Sequence, residues 1–287
     1  MGDKPVDFSQ IIKDTRSLPT LPGIIAKLGS MAENDKSSAQ EMARVVSADQ
    51  VLSAKVLRLV NSAFYGFSGR ISTVSNALIL LGVNVVKSLA ISSSIFEIME
   101  KNVVGLWEHS MGVAVAANII AKKLKLPEPE ETSTAALLHD IGKVIIKIKI
   151  GRDYQTLTKL IEQKGVSMQE AEQELLKIDH PQIGEWMART WLLPEKLIEP
   201  IGCHHEVAKS SIQRTKTATV HIADVLIKAS GFGFSGDNVV PRIQPIAWER
   251  LDLTESLLES IIEEIEEKLV EVKNFSLEIQ TTDESKT

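Results

Sequence analysis

The chain has 287 residues, 44% of them hydrophobic and 24% charged, which fits a soluble globular protein of one large or two modest domains. A formal charge of -6 and only 5% aromatic residues argue against a basic groove or stacking platform for nucleic acid. A single cysteine, Cys203, excludes an internal disulfide framework, the longest apolar runs fall short of the roughly 20 residues a membrane span needs, and no leader-like segment opens the chain, so a cytoplasmic protein is expected.

Apolar residues recur at helical spacing almost throughout, and no alternating run is bounded like a hairpin, so the fold class is all-α. After RSLPTLPG, residues Ile24, Ile25, Leu28 and Met31 form one stripe, and Ser38 with Glu41 reads as a capping box for the next helix. Asp49 is placed to cap a third, which runs through Leu52, Val56, Leu57 and Val60 to the break at NSAFYGFSGR. That break carries exposed-type aromatics and is the N-terminal segment best suited to touch a partner, with packing as the alternative. Two further helices are predicted at about Thr73 to Leu81 and Val83 to Met99, and EKNVVG is the natural joint to the rest of the chain.

A helix from Trp107 to about Leu124 is interrupted by LPEPEE, and TSTAALLHDIGKVII begins another. Pro181 and Pro194 bracket QIGEWMARTWLL, a helix over Glu195 to Cys203 ends at HHE, and another covers about Thr215 to Ala229. SGFGFSGDN reads as a loop. The last helix starts near Thr254 with Leu257, Ile261, Ile265 and Leu269 on one face, and TTDESKT is expected to fray. Residues 251–287 hold eleven acidic against three basic side chains, so the acidity of the chain is largely the solvated face of this helix. The predicted organisation is a helical part at 1–100, a second helical domain at 101–250 and an acidic terminal helix at 251–287.

Six histidines, at 109, 139, 180, 204, 205 and 221, carry the chemistry. Each alone reads as a core or surface residue, but together with Asp140 and Asp224 they form a donor set suited to divalent iron, manganese or zinc, in which a carboxylate can bridge two ions. Adjacent His139 and Asp140 diverge by about 100° on a helix, so both reach one site only where the helix end points into it. Lys143 lies three residues past Asp140 on the same face. There it could steady a phosphate oxygen or form a surface ion pair of little value, and spacing leaves both open. Trp186 and Trp191 read as packing residues, His221 as a hydrogen-bonded core histidine, and Cys203 as a small buried side chain.

HDIGK with His109 upstream, HPQIG at His180, HHE at His204 and ADVL at Asp224 resemble the HD superfamily of metal-dependent phosphohydrolases. SLPTLPGIIAKL, VLRLVNSAFYGF and ISTVSNALILLGVNVVKSL resemble the opening of its regulatory branch, the HDOD family, and the likeness covers about Ser17 to Leu226. The resemblance implies an N-terminal helical bundle packed on an HD-like bundle. It also implies a site for one or two iron or manganese ions: His109, His139, Asp140 and Asp224 on one ion, with Asp140 bridging to a second held by His180, His204 and His205. In the related HD-GYP phosphodiesterases, which act on cyclic di-GMP, the place of Lys143 contacts phosphate.

Two departures set this chain apart from those enzymes. VAKSSIQRTKTATV follows HHE where a Gly-Tyr-Pro segment would stand, and Gly105 occupies the position of a third-metal carboxylate. The resemblance therefore implies a bacterial-type regulatory module that binds a signalling protein or a small signal. The alternative is a metal-dependent phosphodiesterase acting on a nucleotide or cyclic dinucleotide, in which Asp140 and Lys143 would be catalytic. A helix-turn-helix reading of AQEMARVVSADQVLSAKVLRLV is weaker, because residues 1–100 balance ten basic against nine acidic side chains.

Overall fold

The computed structural model describes residues 39–48, 50–61, 71–82, 85–86, 88–90, 103–151 and 154–284, and the regular structure among them is entirely helical. The chain is all-α, an N-terminal helical bundle packed on an HD-like one. The helices are α1 (Ala39–Ser47), α2 (Gln50–Asn61), α3 (74–82), α4 (Leu106–Lys123), α5 (Pro129–Leu138), α6 (Ile141–Ile150), α7 (Tyr154–Lys164), α8 (Met168–Leu176), α9 (His180–Thr190), α10 (Glu195–Cys203), α11 (Arg214–Ser230), α12 (Pro245–Arg250) and α13 (Glu255–Glu284). Residues 85–86 and 88–90 are helical as well. None of the described helices is long and apolar enough to cross a membrane.

Helix α4 is the axis. From Leu106 to Ala121 every residue but Glu108 is buried, the signature of a helix surrounded by others rather than lying on a surface. It packs against α5, α11 and α13, and its run of Gly112, Ala114, Ala116 and Ala117 lets neighbours approach closely. One apolar cluster joins Met42, Val56 and Leu89 of the N-terminal part to Trp107, Ala136, Ile201 and Ile265. A second, smaller cluster unites Ile146, Leu157, Met168 and Met187 of α6 to α9.

Local chemistry sets the boundaries. Ser167 and Asp179 each form a capping box, with Glu170 and Gln182 respectively, at the starts of α8 and α9, satisfying amide groups that the first turn leaves open. Thr254 accepts from the Leu257 amide at the entry to α13. Asn61 ends α2 by bonding both the carbonyl and the amide of Ile71, which ties the two sides of the 62–70 segment together.

Two expectations need correction. TSTAALLHDIGKVII is not one helix: α5 stops at Leu138, Asp140 takes φ −97°, ψ 10°, and α6 starts at Ile141. The break turns both His139 and Asp140 inward, which an unbroken helix could not do. At the other end α13 runs through Glu284, so TTDE is helical rather than frayed, since no Pro or Gly interrupts residues 255–284. The Ile24 stripe, the Ser38 cap, Asp49, residues 62–70 and residues 91–102 lie outside the described residues.

Helices α6 and α9 touch backbone to backbone. A β-carbon on Gly142 would stand 2.0 Å from the carbonyl oxygen of His180, so only glycine fits. Gly142→Ala should force the helices apart and cost about 1–3 kcal/mol, read as a lower urea midpoint; an unchanged midpoint would contradict the close approach.

Candidate metal centre

Six parts of the fold deliver side chains to one buried point. His109 comes from the first turns of α4, His139 and Asp140 from the α5–α6 break, Lys143 from α6, His180 from the first position of α9, His204 and His205 from the turn after α10, and Asp224 from the middle of α11. His109, His139, Asp140, Lys143, His180, His204 and Asp224 are each at most 2% exposed. His205 is half-buried and is the member of the group nearest solvent.

Asp140 is central, and its two oxygens face different partners. Oδ2 lies 3.3 Å from His139 Nε2 and 3.7 Å from His109 Nε2, while Oδ1 lies 3.2 Å from His180 Nε2 and 3.8 Å from His204 Nε2. Asp224 Oδ1 lies 3.0 Å from His109 Nε2 and 3.6 Å from His139 Nε2. His205 Nε2 meets His180 Nε2 at 3.1 Å. Three triads have donor atoms all within 4.8 Å of one another: His109/His139/Asp224, His139/Asp140/His204 and His180/His204/His205. The expected ligand candidates thus converge, and Lys143 joins them through a 2.6 Å contact with Asp140 Oδ2. That pair is buried, not on the surface.

The outer nitrogens hold the rings in register. His139 Nδ1 donates to the Ala136 carbonyl at 2.7 Å and His204 Nδ1 to the Ile201 carbonyl at 2.8 Å, leaving each Nε2 directed at the site. His180 is held by Glu172, whose Oε2 lies 2.7 Å from Nδ1 and 2.8 Å from the backbone nitrogen. His221 stands outside the group. Its Nδ1 bonds the His204 carbonyl and its Nε2 accepts from the Gln244 amide, so it is a hydrogen-bonded core residue that steadies the His204 turn.

Sequence reasoning missed Glu172. The signal was present: Met168, Ala171, Leu175 and Leu176 define the inward stripe of α8, and Glu172 occupies the position one turn after Met168 where an apolar residue would be expected. Trp186 and Trp191 are partly buried against the cores, and Arg189 pairs with Glu185 and Glu195, in keeping with packing. Cys203 is half-buried, and burial pushes its thiol up to about 11.

Electrostatically the group is strongly coupled. Burial opposes ionisation of Asp140, yet His139, Lys143 and His180 outweigh it and hold the carboxyl well below its usual range; Asp224 is held down likewise by His109 and His139. Burial also opposes charge on His139, but Asp140 and Asp224 raise it to about 9, and Glu172 and Asp140 raise His180. His204 and His205 are driven well down by burial and by neighbouring imidazoles, and burial lowers His109.

The Nε2 atoms of His109, His139 and His204, with Asp140 Oδ1 and Asp224 Oδ1, are buried without a hydrogen-bond partner among the described residues. Unpaired buried polar atoms are costly, and imidazole with carboxylate is a natural donor set for first-row divalent ions. The residues present therefore fit a metal.

Comparison with known proteins identifies the family and the fold. The family model for the HDOD domain matches residues 18–207. The chain belongs to the HDOD family. An HDOD domain protein of unknown function from Geobacter sulfurreducens is 26% identical and superposes with a TM-score of 0.72 over 93% of this chain and 95% of that one. A Marinobacter aquaeolei VT8 protein whose name proposes signal transduction shares the fold at 19% identity, with a TM-score of 0.73 over 93% of this chain and 64% of that one. An uncharacterised protein of Treponema pallidum (strain Nichols) is 23% identical over 216 residues, 74% of this HDOD chain and 42% of that protein. The chain thus spans less than half the length of that relative.

Two measurements test the site. Glu172→Ala leaves two buried His180 donors unpaired and should cost about 1–3 kcal/mol for each in denaturant unfolding, whereas Glu172→Gln, which keeps an acceptor oxygen, should cost less. Protein stripped with chelator should lose stability as pH falls from 7 to 3. Asp140 and Asp224, with folded values below their unfolded ones, contribute fully above about pH 4 and lose that contribution below it. The lowered His109, His204, His205 and His221 add the same sign below about pH 6.5. Only the raised His139 and His180 oppose it, so a flat profile would contradict this balance.

Proposed function

We propose that this HDOD chain is a regulatory module that holds one or two divalent ions, iron or manganese, and acts by binding a signalling protein or small signal in the cytoplasm. The observation that carries the metal assignment is the set of buried, unpartnered imidazole and carboxylate atoms on both sides of Asp140. His109, His139 and Asp224 would hold one ion, His180, His204 and His205 the other, and Asp140 would touch both. A bound divalent ion would supply concentrated positive charge and Lewis acidity. The protein's own part is to orient each Nε2 and to keep water from all but the His205 side.

The regulatory reading rests on what surrounds the donors. Lys143, whose ammonium would have to reach a phosphate, is 2% exposed and engaged by Asp140 at 2.6 Å. After Glu206 the chain forms a short turn at Val207–Lys209, and the next residues, 211–213, are fastened by their amides to Glu199; no Gly-Tyr-Pro segment shapes a nucleotide site. In this reading residues 1–100 recognise the partner, 101–250 hold the metals, and 251–287 brace α4 through Lys123, which contacts Glu264 and Ser260. The hydrolytic alternative, a phosphodiesterase acting on a cyclic dinucleotide or nucleotide with Asp140 and Lys143 at its centre, draws on the completeness of the donor set.

Elemental analysis of untagged protein prepared without chelator decides first. About two equivalents of iron or manganese, lost in Asp140→Ala, are expected. No bound metal after anaerobic reconstitution would overturn the assignment, and steady cyclic di-GMP hydrolysis by the loaded protein, abolished in Asp140→Ala, would replace the regulatory reading with the enzymatic one.

A further inference from the structure

The glycine-rich loop between α11 and α12 does more than connect them. Gly233 has φ +68°, and a β-carbon there would lie 2.3 Å from the His109 backbone nitrogen; the Phe234 amide donates to the Gly105 carbonyl at 2.9 Å. The loop is therefore pressed onto the first turn of α4, at the base of His109. Three residues further on, buried Asp237 accepts from Lys228 of α11 at 3.0 Å through both oxygens and from the Met168 amide at the start of α8 at 3.0 Å. Lys228 stands one turn beyond Asp224, and Glu172 one turn beyond Met168. The loop thus leans on α11, which carries Asp224, and on α8, which carries Glu172.

Two cavities lie against this loop and share Phe234, Asp237 and Asn238 as walls. The larger, about 640 Å³, is walled by Val103, Val104, Ile161 and Val166 and by the Tyr154 ring. The smaller, about 320 Å³, reaches His109 and Ser235. The larger volume lies in the range of small-molecule pockets. Val104 is 76% exposed and Phe234 42% exposed, an unusual outlay of apolar surface around one hollow.

Polar groups line both hollows, Ser235 the smaller and Tyr154 and solvent-exposed Asn238 the larger. Ser235 is 3% exposed, and its Oγ has no hydrogen-bond partner among the described residues. The Tyr154 hydroxyl and the Asn238 amide make no side-chain hydrogen bond among them either, while burial, aided by Glu172, pushes the Tyr154 hydroxyl up to about 12 and keeps it a donor. Neither lysine nor arginine is among the described residues lining the larger cavity, where the charged residues are Glu162 and the Lys228-clamped Asp237. Among the described residues two nearby ammonium groups are already engaged, Lys228 by Asp237 and Lys147 over the Tyr154 ring at 3.9 Å, so the described walls offer a phosphate or carboxylate little.

We propose that this cavity is a binding site for a neutral amphipathic small molecule, an aromatic or branched aliphatic body bearing a carbonyl or hydroxyl, and that its occupancy reaches His109 through the Phe234 loop. The apolar body rests on Val103, Val104, Ile161 and Phe234, and its polar end meets Tyr154 or Asn238. The site stands on the cavity and its walls and does not depend on metal binding.

The test uses the full chain stripped of metal and the neutral naphthyl ketone prodan, whose emission moves to the blue in apolar surroundings. A saturable blue shift is expected, weakened at least tenfold in Val104→Asp and in Thr158→Trp and unchanged in Ile212→Asp, which alters an equally exposed apolar side chain elsewhere. Both cavity positions are partly or fully exposed, and circular dichroism melts identify any variant that fails to fold; the other then decides. The His109 imidazole resonances, assigned with His109→Gln, should move on saturation. Absence of a saturable shift, or equal binding by the folded cavity variants, overturns the site, and binding that leaves His109 unmoved overturns the link to the loop. Because the protein is metal-free throughout, these outcomes are separate from those of elemental analysis.

Discussion

The molecule is arranged around one buried carboxylate. Asp140 is 1% exposed, and an ionised group in such a place is prohibitively costly unless charge and hydrogen bonds surround it. That requirement explains the break between α5 and α6, the convergence of α4, α9, α10 and α11, and the burial of Lys143 against an oxygen that would otherwise lack a cation. A continuous helix through HDIGK would satisfy the backbone and strand the side chain. The break leaves the Asp140 residue in sparsely populated bridge-region backbone geometry and brings both of its oxygens to separate partners.

The same device is used twice to aim the imidazoles. A helix leaves its last carbonyls without intrahelical partners, and α5 and α10 each end on a histidine that answers one of them. His139 donates to Ala136 and His204 to Ile201, both three residues back. A residue that satisfies a helix terminus also presents its other nitrogen to the interior. His180 stands at a helix beginning instead, where carbonyl acceptors are lacking, and there Glu172 supplies the oxygen. The three rings are therefore fixed by three local hydrogen bonds, and the central donor geometry follows from where helices start and stop.

These differences explain what could be read in advance. The α10 limits at Glu195 and Cys203, the extent of α4 and the loop SGFGFSGDN follow from proline, glycine and 3.6-residue periodicity, signals that are local in sequence. The histidines were legible because imidazole beside carboxylate is rare in an apolar run. The break at His139 was not, since Leu138, Ile141 and Val144 continue a helical pattern across it; its cause is a charge balance assembled from distant residues. The partners of Glu172 and Asp237 were hidden for the same reason. The inward position of Glu172 on α8 was legible, but only the fold places it against His180 and Asp237 against the α8 amide.

Around the centre the charges nearly balance within the protein itself. Asp140, Asp224 and Glu172 face Lys143 together with His139 and His180, the two imidazoles whose proton affinity is raised. His109, His204 and His205, driven down by burial, remain neutral and carry lone pairs rather than charge. A cluster built this way is held without relying on surface ion pairs, which are screened and weak. Its integrity depends instead on helix packing, and the apolar cluster that sets α4 against α5 and α11 extends to Met42 and Val56. The described N-terminal helices and the helix that positions His109 therefore share one packed core, and displacement of either would be felt by the other.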